Sequence, residues 1–156
     1  MKQEKNRRTL ERFLPMQVRA VEEGEDNRVF ELSFSSEEPY MRWFGPEILD
    51  HSGEACDLSR LQELGVVLFN HDRNAVLGKI TRAWIEDNRG KAEIAFDDDE
   101  FAETIRKKVA GGTLRGVSVG YRVDSWEEVT AGVTSADGRF TGPCSIARRW
   151  LPYEVS

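Results

Sequence analysis

The sequence has few of the residues on which cross-links and metal sites depend. Its 156 residues include only two cysteines, Cys56 and Cys144, and two histidines, His51 and His71. No Cys-x-x-Cys pair and no cluster of histidine and cysteine occurs, so the sequence contains no zinc-binding signature. The N-terminus is charged where an export signal would carry an apolar stretch, and we therefore expect the cysteines to be reduced thiols in a cytoplasm.

Long apolar runs and an excess of basic charge are also absent. No run approaches the roughly 20 apolar residues that a membrane span needs. The net charge of -6 argues against nucleic acid as the main partner, because phosphate binding requires clustered basic residues. With 39% hydrophobic and 32% charged residues, the composition is typical of a soluble globular protein. We predict a mobile arm over residues 1–15 and a single domain over residues 16–156.

Alternation of apolar and polar residues predicts strands along most of the chain. MQVRAVE and RVFELSF, joined by EEGEDN, predict an opening hairpin, and AVLGKITRAWIE and KAEIAFD predict a second hairpin closed by DNRG. GVVLFNHD predicts a fully buried strand that ends at Asn70, with His71 at its mouth. LRGVSVGYRVDSWEEV and residues 145–156 predict two further strands.

Helices are fewer, and DDDEFAETIRKKVAGG predicts the clearest one. Acidic residues fill its start, basic residues fill its last turn, and Phe101, Ile105 and Val109 share one face. DLSRLQEL predicts a second, shorter helix. Several strands with few helices and no alternation of strand and helix indicate a mainly β, α+β fold, an antiparallel barrel or sandwich.

The stretch LRGVSVGYRV contains Gly-x-Ser-x-Gly at Gly116, Ser118 and Gly120. In α/β-hydrolases this motif turns from a strand into a helix, and the histidine follows the serine in the chain. Here a predicted helix precedes the motif and a strand follows it. Both histidines, His51 and His71, precede the serine. The hydrolase elbow is therefore excluded.

The same residues have a different meaning in a strand, where side chains alternate between two faces. Four apolar residues fall on one face, and Ser118 falls on the other between two glycines. Glycine in a strand marks close approach by a backbone or a ligand, so Gly116 and Gly120 are candidates for binding a peptide substrate. Alternatively, Ser118 merely fills a tight position. His71 is the candidate base, since imidazole titrates near neutral pH, although a lone histidine is more often structural.

A third group would orient the imidazole and stabilise its charged form. Glu154, in the last predicted strand, is the candidate. It could equally be a plain exposed carboxylate, and spacing alone does not choose between it and four other acidic residues: Asp72, Asp124, Glu127 and Glu128.

VLFNHDRNAVLGKI, LRGVSVGYRV and RRWLPYEVS, in this order, resemble the prohead maturation proteases of tailed bacteriophages, serine peptidases related in fold to herpesvirus assemblin. The resemblance extends from about Val18 to the end of the chain. It implies an antiparallel barrel of the herpesvirus-protease-like type with one or two flanking helices. It also implies that Ser118 is the nucleophile, His71 the general base and Glu154 the third member, a place that His51 does not fill because it precedes the serine.

The resemblance implies further properties. Arg148 and Arg149 become candidates for oxyanion support, and no metal or organic cofactor is needed. The implied substrates are the scaffolding segment of the major capsid protein, inside the assembling prohead in the host bacterial cytoplasm, and the protease itself. A homo-oligomer is allowed, with no nucleic-acid or membrane partner. Family chains continue beyond Glu-Val-Ser, so the end at Ser156 could be an engineered truncation, a self-cleavage product or the cut from a fusion.

Two other classes of function are compatible with the same residues. One is a non-catalytic β-barrel that acts as a scaffold or a capsid-binding module. The other is a barrel that binds a small ligand over the glycine-flanked face, although no nucleotide or flavin motif is present.

Overall fold

Ten strands and two helices make up the part of the chain that the computed structural model describes, residues 9–15, 18–21 and 27–156. The strands are β1 (Thr9–Pro15), β2 (Val18–Ala20), β3 (Val29–Ser35), β4 (Tyr40–Arg42), β5 (Gly45–Leu49), β6 (Val66–Phe69), β7 (Asp72–Glu86), β8 (Arg89–Phe96), β9 (Gly116–Val129) and β10 (Cys144–Val155). The helices are α1 (Ser59–Leu64) and α2 (Glu100–Ala110). Neither of these helices has the length and hydrophobicity needed to cross a membrane.

All ten strands join one mixed sheet. Its main path runs β1-β9-β10-β6-β7-β8-β3-β2, and β5 pairs with β10 and carries β4. Most neighbours are antiparallel, but β10 is parallel to both β5 and β6. Among the described residues β1 and β2 are the ends of the path and do not pair with each other, which leaves a curled half-barrel. The prediction of a mainly β, α+β fold with one or two helices is confirmed. The sheet is mixed rather than wholly antiparallel, because alternation identifies strands but not their pairing directions.

One face of β9 lies at the centre of the core. The four apolar residues predicted to face inward are at most 3% exposed, which confirms the predicted alternation: Val117, Val119, Tyr121 and Val123. Burying side chains of this size contributes roughly 1.5 to 3 kcal/mol each. A slip of β9 by one residue would expose all four and turn Ser118 into the core. Core packing therefore fixes the direction in which Ser118 points.

The predicted hairpins are present. β2 pairs antiparallel with β3, although residues 22–26 of the turn between them lie outside the described chain. Asp87 and Asn88 join β7 to β8 with φ of 53° and 57°, as tight two-residue hairpin turns require. β6 is only half-buried, contrary to the prediction, and its end residues Val66 and Phe69 are 37% and 36% exposed. The reason is that β6 pairs with β10 at Val67 alone.

Helix α2 begins where the sequence predicts. The Asp99 side chain caps it by accepting a hydrogen bond from the Ala102 amide at 3.3 Å. Ile105 is buried against the sheet. Phe101, predicted to share that buried face, is instead 43% exposed and packs edge-on against Phe69, with ring centroids 5.6 Å apart.

The N-terminal region differs from the prediction. Thr9–Pro15 form β1, an edge strand antiparallel to β9, rather than part of an arm. Its inward residues are Leu10 and Arg12, which are 9% and 1% exposed. The inward face of a strand usually carries apolar residues, and the buried Arg12 interrupts that pattern. The sequence pattern therefore does not predict β1. Residues 1–8 lie outside the described chain.

Candidate active site

Three candidate residues come from separate parts of the sheet and meet at one point. Ser118 lies on β9, His71 lies in the turn between β6 and β7, and Glu154 lies near the end of β10. β10 brings them together because it pairs with β9 on one side and β6 on the other.

The three side chains form a continuous chain of hydrogen bonds. His71 Nδ1 lies 2.5 Å from Glu154 Oε1, and because an ionised carboxylate can only accept, Nδ1 is the donor. His71 Nε2 then accepts from the Ser118 hydroxyl at 2.6 Å. The side chains of His71 and Glu154 are 16% and 10% exposed, so water has limited access to the pair. An imidazole held in this way can withdraw the serine proton while the carboxylate stabilises the resulting charge.

The turn that carries His71 has an unusual backbone. Asn70 and His71 have φ of 55° and 57°, which costs of order 1 kcal/mol for a residue with a side chain. The His71 amide donates to Ser156 Oγ at 2.8 Å. Ser156 in turn exchanges two backbone hydrogen bonds with Ser118, at 2.8 and 2.9 Å. Ser156 therefore ties the imidazole turn to the serine strand, a role that the sequence did not reveal.

Glu154 reaches His71 because β10 is irregular at this point. The register of β10 against β9 shifts between Pro152 and Glu154, which places Glu154 opposite Gly120. Such bulges re-aim side chains. A Cβ on Gly120 would lie 2.7 Å from Glu154 Cγ. Gly120, predicted to make room for a substrate, thus makes room for the carboxylate that holds the imidazole.

Gly116 has a similar explanation on the other side of Ser118. A Cβ there would lie 2.0 Å from the Phe13 Cζ atom of β1. Phe13 is opposite Ser118 in the β1–β9 register and is 60% exposed. The space above both glycines of the motif is therefore occupied by the chain's own side chains.

β1 also brings Glu11 to the site. Glu11 lies opposite Gly120, and its Oε2 is 3.8 Å from His71 Nε2. Sequence reasoning missed Glu11 and Phe13 because it assigned their segment to an arm. The sequence offers no alternation signal here, because each face of LERF carries one apolar and one charged residue: Leu10 with Arg12, and Phe13 with Glu11.

A buried charged cluster anchors β1. Arg12 Nη2 lies 2.8 Å from Glu47 Oε1, and the two side chains are 1% and 0% exposed. The Tyr121 hydroxyl donates to the same Glu47 oxygen, and Arg42 donates to the Tyr121 hydroxyl at 2.9 Å. Burial raises the pKa of Tyr121, so it stays protonated as a donor. Removing Glu47 would leave Arg12 buried without this carboxylate, and removing Arg12 would leave Glu47 with only the more distant Arg42 Nε at 3.5 Å. The cluster thereby fixes β1 against β9.

The other acidic candidates for the third position have different partners. Asp72 accepts from the Asn74 amide at 2.8 Å, and Asp124 pairs with Arg122 at 2.9 Å. Glu127 accepts from Arg148, and Glu128 accepts from Ser145 at 2.7 Å. Of the five carboxylates considered, the structure brings only Glu154 to His71.

The structure does not bring Arg148 and Arg149 to the site. Arg148 binds three carboxylates, at 2.8 to 3.0 Å: Asp50, Glu127 and Asp137. Arg149 is exposed and lies opposite Ser125 in the register of β10 and β9. It lies seven residues before Ser156, the residue whose backbone bonds Ser118, and this is roughly 20 Å along the strand direction. The geometry gives no support to their predicted role at the oxyanion.

His51 occupies a separate buried site. Its Nδ1 donates to the Leu49 carbonyl at 2.8 Å, and its Nε2 accepts from Ser35 Oγ at 2.7 Å. Burial lowers the pKa of His51 to about 4, so the ring is neutral. The His51 side chain is 0% exposed, and this second serine–histidine pair is inaccessible to a substrate.

Ser118 and His71 border a cavity of about 1100 Å³, whose walls are mainly apolar and include Phe13 and Phe69.

Glu11, His71 and Glu154 form a group of potential metal ligands among the described residues. Glu154, however, holds Nδ1 of the imidazole, whereas Glu11 faces Nε2, and the two ring nitrogens point in different directions. Cys56 and Cys144 are free thiols, and burial raises the pKa of Cys56.

The chain is similar in sequence to known proteins. Residues 15–139, which include His71 and Ser118, match the family model of the caudovirus prohead serine protease. The major capsid protein of Halomonas phage phiHAP-1 is 34% identical over 129 residues, 80% of this chain. The chain spans 20% of the length of that relative. No solved structure matches the chain. The extent of the family match shows that the chain belongs to the caudovirus prohead serine protease family.

Proposed function

We propose that this chain is a serine endopeptidase that cleaves the scaffolding segment of a phage capsid protein, and itself, during prohead maturation. The observation that carries the proposal is the hydrogen-bonded chain from Ser118 through His71 to Glu154, whose two hydrogen bonds are 2.6 and 2.5 Å long. Family membership supports the peptidase activity. The similarity to a protein named as a major capsid protein supports capsid protein as the partner.

The site residues divide the reaction between them. His71 Nε2 takes the Ser118 proton as Oγ forms a bond to the peptide carbonyl carbon, and the imidazolium then gives that proton to the leaving amine as the C–N bond breaks. Glu154 keeps the ring in the required tautomer and stabilises its charge. Water, activated by the same nitrogen, hydrolyses the acyl-enzyme and returns the proton to Ser118. These steps need no metal or organic cofactor.

Two finer points belong to the same proposal. The half-barrel is a variant of the herpesvirus-protease-like type, with one edge strand supplied by residues 9–15. The protease works inside the assembling prohead in the host cytoplasm, where scaffolding segments are concentrated.

Covalent labelling tests the nucleophile and the base. A fluorophosphonate should add to the protein once, at Ser118, and His71→Ala should abolish the addition because the hydroxyl loses its base. His51→Gln is the matched control, since His51 bonds a serine away from the cavity, and it should label like the wild type. Intact mass and peptide mapping measure the outcome. Labelling at another residue, or undiminished labelling of His71→Ala, contradicts the assignment.

Co-expression with capsid protein tests the substrate. The intact mass of capsid protein should fall when it is expressed with the wild-type chain and stay unchanged with Ser118→Ala. Equal masses together with co-purification would instead favour a capsid-binding module without turnover.

A further inference from the structure

β1 places a second carboxylate beside the imidazole. Glu11 Oε2 lies 3.8 Å from His71 Nε2, the nitrogen that faces Ser118, whereas Glu154 holds the opposite nitrogen. The Glu11 side chain is 59% exposed. Within the described residues, no lysine or arginine pairs with it. As far as the structure describes the chain, Glu11 is thus an accessible carboxylate without a basic partner at the edge of the candidate active site.

The position of Glu11 is fixed by its neighbours. Arg12 is locked into the buried cluster with Glu47 at 2.8 Å. The Arg42 guanidinium donates to the Glu11 carbonyl at 2.5 Å. β1 pairs with β9 over its whole length, from Thr9 to Pro15. The backbone that carries Glu11 is therefore held in place, and a bound group would not have to order a loose segment.

The chemistry of acyl transfer determines which part of a substrate lies next to Glu11. His71 Nε2 protonates the leaving amine, so the amine nitrogen lies next to Nε2 when the peptide bond breaks. A carboxylate 3.8 Å from the same nitrogen therefore lies on the leaving-group side, near the residue that follows the scissile bond. An opposite charge on that residue would be attracted to it.

We propose that Glu11 binds a basic side chain in the residue that follows the scissile bond, and that the enzyme thereby selects segments with arginine or lysine at this position. This inference rests on the proposed peptidase function and adds a substrate class to it. Glu11 lies before the residues that match the family model, so the preference belongs to β1 of this chain.

Acyl transfer to added amines isolates this subsite. 4-Nitrophenyl acetate acylates Ser118 and releases nitrophenolate. The α-amine of an amino acid amide then attacks the acetyl carbonyl, His71 takes its proton, and the Ser118 Oγ leaves and receives that proton. Argininamide and norleucinamide have α-amines of similar basicity and unbranched aliphatic stems, and norleucinamide lacks the charged guanidinium. Competing them at equal concentration and measuring the two N-acetyl products by mass spectrometry gives a ratio that does not depend on overall activity.

The wild type should form roughly threefold to fivefold more acetyl-argininamide than acetyl-norleucinamide, the size expected of one partly exposed ion pair. Glu11→Gln should bring the ratio close to one, and Glu11→Lys should bring it below one through repulsion. Glu63→Gln, on the exposed side of α1, is the matched control and should keep the wild-type ratio.

The outcomes separate the two levels of the proposal. Ser118-dependent nitrophenolate release with a wild-type ratio of one, or a ratio that Glu11→Gln leaves unchanged, overturns the role of Glu11 alone. Absence of Ser118-dependent release from the wild type overturns the peptidase function and the role of Glu11 with it.

Discussion

Replacing Gly120 by alanine adds one methyl group behind the carboxylate that holds the imidazole. The added Cβ would lie 2.7 Å from Glu154 Cγ and 3.0 Å from Glu154 Oε1, whereas an ordinary contact is at least 3.4 Å. The Glu154 side chain must therefore retreat by about 0.7 Å, the difference between 3.4 and 2.7 Å. Its hydrogen bond to His71 Nδ1 is only 2.5 Å long and cannot survive such a shift unchanged.

The expected loss of activity follows from this displacement. Misplacing a catalytic group by about 1 Å costs roughly 100-fold in rate. We expect Gly120→Ala to lower kcat for hydrolysis of 4-nitrophenyl acetate by roughly that factor. Overpacking of this kind also costs about 1 to 3 kcal/mol of folding free energy, so urea unfolding should be measured alongside.

A double-mutant cycle makes the test specific to Glu154. Glu154→Ala alone should lower kcat by up to about 10⁴-fold. Adding Gly120→Ala to Glu154→Ala should then cost less than about threefold, because no Cγ remains to clash. Gly116→Ala is the matched control: its obstacle is the exposed ring of Phe13, which can swing toward solvent. Equal losses from Gly120→Ala in both backgrounds, or wild-type kcat in Gly120→Ala, would refute the reasoning.

Two further predictions concern stability. Arg12→Met leaves the buried Glu47 with only the Arg42 guanidinium, 3.5 Å away, and should lower the free energy of unfolding by about 3 kcal/mol, the low end for a broken buried ion pair. Urea titration measures this, and Arg12→Met combined with Glu47→Gln should recover part of it. A loss below about 0.5 kcal/mol, the size of an ordinary surface substitution, would contradict the role of the cluster. Burial lowers the pKa of His51 to about 4, against about 6.5 in an unfolded chain. Between these two pH values the unfolded state binds a proton that the folded state does not. The free energy of unfolding should therefore fall, by up to roughly 3 kcal/mol, as the pH drops from about 6.5 toward 4. Stability measured at several pH values should show a flatter dependence in His51→Gln, and identical pH profiles would exclude His51 as the cause.

Much of the local structure could be predicted from the sequence, because it depends on neighbours in the chain. Alternation in GVSVGYRV assigned Ser118 and the core residues of β9 to opposite faces, and burial confirms it. The acidic start and basic end of α2 marked its bounds within a few residues. Ser118, His71 and Glu154 could be named as candidates because their residue types suit the chemistry.

The tertiary structure alone decided what these residues meet. Pairing of β10 with both β9 and β6 selects Glu154 over four other acidic residues, because strand order and the bulge after Pro152 are set by packing across the whole sheet. The glycines of the motif accommodate Phe13 and Glu154, neighbours that lie far from them in the sequence. β1 was hidden because its burial depends on an arginine whose partner, Glu47, is 35 residues away. A sequence determines which faces and chemical groups a strand offers, whereas contacts between distant strands determine which of those groups can react together.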